Sequence, residues 1–146
     1  MSAVSNRPTA AFIGASWVAL LVGSVFYCIG LWNTTMNLHE KGYYLTIILY
    51  GLFAAVSLQK AVRDQIENIP VTAIYFGLCW FSVMVSIVLL AVGLWNADLA
   101  LSAKGFYIMA FLLALFGAIA VQKNIRDVLQ YERQNSKSDP ASLHTD

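Results

Sequence analysis

A group of charged residues that could bind a ligand or form ion pairs belongs to one motif that occurs twice. Gln-Lys-x-x-Arg-Asp occupies residues 59–64 and recurs at residues 122–127. Residues four apart share one face of a helix, so Gln59 lies beside Arg63 and Lys60 lies beside Asp64. The adjacent Arg and Asp cannot face each other on one helix. The motif residues are Gln59, Lys60, Arg63, Asp64, Gln122, Lys123, Arg126 and Asp127.

Three uses of this motif are open. The two copies could pair reciprocally, Arg63 with Asp127 and Arg126 with Asp64, and so join two parts of the chain. The basic side chains could instead form a collar that binds anionic lipid headgroups, at about 1 kcal/mol per residue. The motif could also be a docking surface for a partner protein. We expect a structural or lipid-binding role.

A second pair of motifs lies upstream of each copy. Trp32-Asn33 and Trp95-Asn96 are typical of a helix that ends at a membrane interface, where tryptophan is enriched and asparagine follows the last turn. A stacking platform for a ligand is the alternative use of the two tryptophans. We expect all four residues near the membrane surface.

Lys41-Gly42 and Lys104-Gly105 are predicted to open the second and fourth helices. A lysine at a helix N-terminus opposes the helix macrodipole, so helix stability alone does not select it. Extension of the side chain to lipid phosphate explains the lysine. An anionic ligand held between the two lysines is the alternative explanation.

Four apolar segments must position these motifs. Hydrophobic residues make up 59% of the chain and charged residues 12%, whereas about 25% is typical of soluble domains. Windows of 22, 18, 30 and 18 residues lack charge, and a membrane-spanning helix needs about 20 apolar residues. The sequence therefore predicts an all-α, polytopic membrane protein. Its four transmembrane helices are expected at about residues 11–32, 42–60, 73–95 and 105–122.

The segments form an internal repeat. Residues 12–64 align with residues 75–127 at a fixed offset of 63, and 20 of the 53 positions are identical. Two tandem, parallel helix-hairpin repeats are therefore expected, related by a pseudo-two-fold axis along the membrane normal. A segment 1–11 would precede them, a linker 65–74 would join them, and a segment 128–146 would follow.

The distribution of basic residues predicts the orientation. Seven of the nine Lys and Arg residues fall on the side of the termini and the central linker, which places both termini in the cytoplasm. The second and fourth helices are expected to extend into the cytoplasm, and the tail beyond about Gln134 is polar enough to be disordered.

Small residues are predicted to allow close helix packing in lipid. Cys28 and Cys79 are expected to be buried and too far apart in depth for a disulfide. The small residues are Gly51, Ala54 and Ala55 in the second helix, and Ala110, Ala114, Gly117 and Ala118 in the fourth.

Several function classes lack the residues that they need. The two histidines, His39 and His144, fall in a loop and in the tail, so no activated nucleophile, haem ligand pair or metal cluster is expected. The apolar windows carry no ionisable Asp, Glu, Lys, Arg or His, which argues against proton-coupled transport. We expect a protein that is not an enzyme, takes no cofactor and binds no nucleic acid.

The repeated motifs Gly-Leu-Trp-Asn, Lys-Gly-[Tyr/Phe]-Tyr and Gln-Lys-x-x-Arg-Asp resemble those of the bacterial YiaA/YiaB inner-membrane proteins. The resemblance covers roughly residues 10 to 130 and implies a multi-pass protein of the bacterial inner (cytoplasmic) membrane, without implying an activity. We expect an oligomeric structural or accessory subunit, as a homo-oligomer or within a larger membrane complex, in contact with anionic lipids. The alternative is an uncoupled small-solute channel or facilitator with Lys41 and Lys104 at its periplasmic mouth.

Overall fold

The computed structural model describes residues 7–138, which form four α-helices. The helices are α1 (Ala10–Asn33), α2 (Leu38–Ile66), α3 (Ala73–Asn96) and α4 (Leu101–Ser138). All four are long and apolar enough to cross a membrane. The all-α class and the four spanning helices predicted from the sequence are therefore confirmed.

The first and third helices begin and end at equivalent positions, 63 residues apart. Thr9 and Thr72 cap their N-termini, and each threonine hydroxyl accepts a hydrogen bond at 3.3 Å from the backbone N–H three residues later. Such a side chain satisfies one of the N–H groups that a helix start leaves unpaired. The predicted bounds of these two helices are correct to within one residue.

The second and fourth helices begin four residues earlier than predicted. The Asn37 backbone N–H donates to Glu40 Oε2 at 2.9 Å, so the turn that starts at Leu38 is part of α2. An Asn followed three residues later by Glu is the sequence signature of such a start. Gly42 and Gly105 consequently lie inside helices rather than at their first positions.

The helices pack in the order α1, α4, α2, α3. The first helix of each half contacts the second helix of the other half, and α2 and α4 pack against each other at the centre. The two helices within each half contact each other little, although loops of four residues join them (residues 34–37 and 97–100). The term hairpin therefore describes the connection within each half but not the packing.

The contact between α1 and α4 is close enough to require glycine. A Cβ on Gly23 would lie 2.5 Å from the Ala114 backbone nitrogen, and one on Gly117 would lie 2.4 Å from the Leu20 nitrogen. Small residues allow this backbone approach, on which helix association in lipid depends. All seven small residues predicted to pack are buried.

The half of the bundle nearest the two short loops has an aromatic core. The Tyr27 hydroxyl donates to the Tyr44 carbonyl at 2.9 Å, and the rings of Tyr44 and Tyr107 stack at 6.2 Å. The outer faces of α1 and α3 remain exposed, as expected of lipid-facing surfaces. Cys79 is buried as predicted, but Cys28 lies on the exposed face of α1, so that prediction was wrong.

The opposite end of the bundle is formed by extensions of α2 and α4. These helices are about 43 and 57 Å long, whereas the hydrocarbon core of a bilayer is about 30 Å thick. Residues 67–72 connect α2 to α3. Within this connection Asn68 has a left-handed backbone conformation, with φ 57°. The helix α4 continues to Ser138, so the polar tail begins later than the predicted Gln134; residues 139–146 lie outside the described part.

Candidate functional site

The two Gln-Lys-x-x-Arg-Asp motifs meet where α2 and α4 leave the apolar region. Arg63 Nη2 lies 2.7 Å from Asp127 Oδ1, and Arg126 Nη2 lies 3.4 Å from Asp64 Oδ1. Both reciprocal ion pairs that the sequence offered as one alternative are thus present. We call the connected charged residues the rim cluster: Lys60, Arg63, Asp64, Glu67, Lys123, Arg126 and Asp127.

Each aspartate of the rim cluster also has a lysine from its own helix. Lys60 bonds Asp64, and Lys123 Nζ lies 2.7 Å from Asp127 Oδ2, in each case four residues apart. Every aspartate is therefore shared between a lysine of its own helix and an arginine of the other helix.

Glu67 completes the rim cluster and was not predicted from the sequence. It bonds Arg63 at 3.1 Å and lies 3.4 Å from Arg126, and it also accepts a hydrogen bond from Gln130 at 3.0 Å. Gln130 is the residue 63 positions after Glu67, so these two equivalent residues meet across the bundle. The spacing of four between Arg63 and Glu67 was the available signal.

The carboxyl groups of the rim cluster are held in their charged form. The hydrogen bond from Lys60 is the largest cause of the lowered pKa of Asp64, and that from Arg63 is the largest cause of the lowered pKa of Glu67. Partial burial opposes ionisation of Asp127, but its bonds to Lys123 and Arg63 outweigh burial and lower its pKa. The pKa of Arg63 is raised, chiefly by the hydrogen bond that Arg63 donates to Asp127.

The pairing limits what else the rim cluster can bind. The two arginine side chains are about four-fifths covered (20% and 19% exposed), whereas Lys60 and Lys123 are 57% and 50% exposed. Among the basic residues of the rim cluster, the two lysines are therefore the ones that can reach lipid headgroups while the ion pairs between α2 and α4 stay intact. Gln59 and Gln122, by contrast, form no bond within the rim cluster, and Gln59 Oε1 is buried without a partner among the described residues.

A buried polar contact lies just inside the rim cluster. Asn124 Nδ2 donates to Ser16 Oγ at 3.0 Å, and the Ser16 hydroxyl donates to the Phe12 carbonyl at 2.8 Å. At the equivalent positions of the other half stand Ala61 and Cys79, both buried. The contact therefore exists between α1 and α4 only. The sequence analysis did not identify it.

At the opposite end, Lys41 has a structural partner. Its Nζ donates to the Trp32 carbonyl at 2.9 Å. A cation favours the C-terminus of a helix, so Lys41 stabilises α1 although it lies in the first turn of α2. This contact was not predicted, and it explains Lys41 without an anionic ligand. Lys104 makes no equivalent bond to Trp95 among the described residues.

The remaining predicted residues lie around the same end. Trp32 and Trp95 are 80% and 85% exposed, the arrangement of interfacial tryptophans rather than of residues that enclose a ligand. Asn33 and Asn96 are the last residues of α1 and α3. No side chain approaches Gly42 or Gly105 within 4 Å of where a Cβ would stand.

A cavity of about 740 Å³ opens between the start of α2 and the end of α3, and we call it the loop-end cavity. Two tyrosines and five other polar residues contribute to its wall. Of the predicted site residues, Asn96 lies in its lining, whereas Trp32, Trp95, Lys41 and Lys104 do not, so the sequence analysis did not locate the cavity. The side chains that matter below are Tyr43, Tyr44, His39, Glu40, Asn96 and Asp98. Within residues 7–138 no three His, Cys, Asp or Glu side chains are placed to hold a metal ion.

Comparison with known proteins gives one family. The profile described as "yiaA/B two helix domain" matches the chain twice, at residues 12–64 and 75–127. No solved structure matches.

Three similar proteins carry membrane-protein names. Inner membrane protein YiaA of Escherichia coli (strain K12) is 58% identical over 117 residues, which is 80% of this chain and 81% of that protein. Uncharacterized membrane protein YubF of Bacillus subtilis (strain 168) is 40% identical over 50% of this chain and 85% of its own length. Inner membrane protein YiaB of Escherichia coli (strain K12) is 28% identical over 66% of this chain and 82% of its own length.

Proposed function

This chain belongs to the YiaA/B two-helix-domain family and is a multi-pass inner-membrane protein, and from that premise we propose that it is a non-enzymatic structural or accessory subunit. The observation that carries the proposal is the reciprocal pairing of Arg63 with Asp127 and of Arg126 with Asp64. These charged side chains, which are the ones most able to take part in chemistry, instead hold α2 and α4 together. Residues paired in this way support a structural role rather than catalysis.

The proposal includes a duplicated architecture with both termini in the cytoplasm. Two observations support two parallel repeats. The bounds of α1 and α3 differ by 63 residues, and the packing order α1, α4, α2, α3 is reversed, and so unchanged, when α1 is exchanged with α3 and α2 with α4. The positive-inside rule then places the rim cluster in the cytoplasm and the loop-end cavity in the periplasm.

Cysteine labelling tests the orientation. In a background with Cys28→Ala and Cys79→Ser, which are the residue types of the other half, we expect His39→Cys to react with a membrane-impermeant maleimide in spheroplasts. Lys137→Cys should react only after the membrane is opened. The reverse pattern would invert the proposed topology.

Association with other subunits follows from the surfaces that the fold leaves free. The exposed faces of α1 and α3 carry large apolar side chains along their length, including Trp17 and Trp80 near the rim end. We propose that these faces contact further copies of the chain or a larger complex, and that Lys60 and Lys123 contact anionic lipid headgroups.

Native mass spectrometry of the protein, extracted gently from its own membrane, tests the proposal. We expect a homo-oligomer or a complex of fixed stoichiometry, with anionic lipid retained less by a Lys60→Gln/Lys123→Gln variant than by the unaltered chain. A Lys137→Gln variant is the matched control. A monomer with no retained protein partner would contradict the subunit proposal.

An uncoupled channel or facilitator is the second candidate, and the loop-end cavity is the observation that favours it. Tyr27, Phe111 and Ile48 fill the centre of the bundle, so a pathway would have to form between copies. Liposomes that contain the protein should then pass small solutes faster than empty liposomes. If the two kinds of liposome pass charged and neutral solutes at the same rates, this candidate is removed.

A further inference from the structure

We infer that the loop-end cavity binds a small organic ammonium ion. The site shares Tyr43, Tyr44 and Asn96 with the repeated motifs, but its carboxylates lie outside those motifs. It is independent of the subunit proposal above. Its lining combines aromatic surface, two carboxylates and the hydroxyl of a largely buried tyrosine, which is left for a ligand.

The hydroxyl is that of Tyr44. The residue is 5% exposed, and its ring lines the cavity, with the hydroxyl 3.1 Å from where a Cβ on Gly93 would stand. The neighbouring hydroxyls are occupied: Tyr43 donates to the Leu89 carbonyl at 2.7 Å, and Tyr27 donates to the Tyr44 carbonyl. The Tyr44 hydroxyl has no hydrogen-bond partner among the described residues. The hydroxyl is therefore free to form a hydrogen bond with a ligand in the cavity.

The charge around the cavity selects a cation. Glu40 and Asp98 line it from two sides, and Glu40 uses one oxygen for the Asn37 N–H and keeps the other. The C-terminus of α3 ends at the wall beside Asn96, and its free carbonyls add negative potential. Lys41 follows Glu40 in the sequence, but its side chain donates to the Trp32 carbonyl and does not line the cavity.

The size and chemistry of the cavity indicate an organic cation rather than a metal. A volume of about 740 Å³ falls in the range of small-molecule sites. The carboxylates do not form a metal-ligating group with His39. Tyr43 and Tyr44 contribute aromatic rings, and ammonium groups bind favourably to the faces of such rings.

The two halves of the chain differ at this site. The residues 63 positions away from His39, Glu40 and Asp98 are Ser102, Ala103 and Thr35. The equivalent of Tyr43 is Phe106, which packs against Gly30. The fold therefore does not require charge at these positions, because the second half forms the same helices without it.

Isothermal titration of the full chain in nanodiscs tests the inference. The probes are n-butylamine, 1,4-diaminobutane and the uncharged 1,4-butanediol, at neutral pH, where the amines are ammonium ions. We expect saturable binding of the amines in the millimolar range or tighter, no binding of the diol, and an affinity that falls as salt is raised.

Variants assign the binding to this cavity. Glu40→Gln keeps an oxygen for the Asn37 N–H. Together with Asp98→Asn it should weaken amine binding about tenfold, because both exposed ion pairs with the ammonium group are lost. Tyr44→Phe should weaken it about fivefold through loss of one hydrogen bond. Glu132→Gln, an exposed carboxylate elsewhere on α4, is the control and should leave binding unchanged.

Three results would overturn the inference: no amine binding by the folded protein, equal binding of the diol, or unchanged affinity in the Glu40→Gln/Asp98→Asn variant. Thermal unfolding of each variant, measured in the same nanodiscs, establishes that it is folded. The subunit proposal is judged separately by its stoichiometry in native mass spectrometry.

Discussion

Arg63 and Asp127 are 64 positions apart in the sequence, yet their side chains meet at 2.7 Å, and Arg126 and Asp64 repeat the relationship in the opposite sense at 3.4 Å. Two contacts of this kind fix the rotation and the depth of α2 relative to α4. The rim cluster therefore holds the two central helices in one register at the end where they leave the lipid.

The first prediction concerns the energy of the Arg63–Asp127 pair. Arg63→Ala should destabilise the protein by about 1–2 kcal/mol, because Asp127 and Glu67 lose a charged donor in a partly buried setting. A double-mutant cycle with Asp127→Ala, measured by reversible unfolding in mixed micelles, should give a coupling of about 1 kcal/mol. A coupling below about 0.3 kcal/mol would mean that the pair does not join the helices.

The second prediction is acid sensitivity. Asp64, Glu67 and Asp127 have pKa values lowered in the folded protein, so their stabilising contribution is complete above their ordinary pKa of about 4 and is lost as the pH falls through the lowered values. Arg63, with a raised pKa, loses its contribution only at strongly alkaline pH. The melting temperature should therefore be level from about pH 5 to 9 and fall below about pH 4.

An Asp64→Asn/Asp127→Asn variant is the control for this titration. It should be less stable at pH 7 and lose less on acidification, because two of the three titrating groups are gone. A variant that loses as much stability between pH 5 and 3 as the unaltered chain would assign the acid sensitivity to other carboxylates.

Much of the fold follows from charge-free windows and from one repeat. Apolar length decides where a helix can cross the bilayer, so the bounds of α1 and α3 were predictable. The starts of α2 and α4 were missed because the first turn of each contains a lysine, Lys41 or Lys104, and so lies outside the charge-free window. The Asn37 and Glu40 spacing carried that information at α2.

The site was less predictable than the fold. The reciprocal ion pairs followed from the motif, since adjacent Arg and Asp must find partners on another helix. The bond from Lys41 to Trp32 did not, because it depends on how a four-residue loop turns the chain. The loop-end cavity depends on the packing of α2 on α3 rather than on α1, and sequence periodicity does not report which helices become neighbours.

The third prediction concerns the closest helix contact. Gly23→Ala and Gly117→Ala should each destabilise the protein by about 1–3 kcal/mol, because the new methyl group meets backbone atoms that have no rotamer by which to move away. Gly14→Ala, on the same helix as Gly23, meets nothing within 4 Å and should be neutral or slightly stabilising. Melting temperatures in one detergent compare the three variants. Equal effects at Gly14 and Gly23 would show that α1 and α4 do not approach as closely as described.

The last prediction concerns the polar contact that only one half of the chain contains. Ser16→Cys should cost about 1 kcal/mol, since the buried Asn124 side chain loses the acceptor for its Nδ2 group and its Oδ1 already has no partner. Adding Asn124→Ala should restore most of that loss, because Cys79 and Ala61 are the buried residues at the equivalent positions of the other half. Asn124→Ala alone should be mild, as the Ser16 hydroxyl keeps its bond to the Phe12 carbonyl. The unfolding free energies of the three variants test these expectations. A double variant less stable than Ser16→Cys alone would show that the two halves tolerate different residues at equivalent positions.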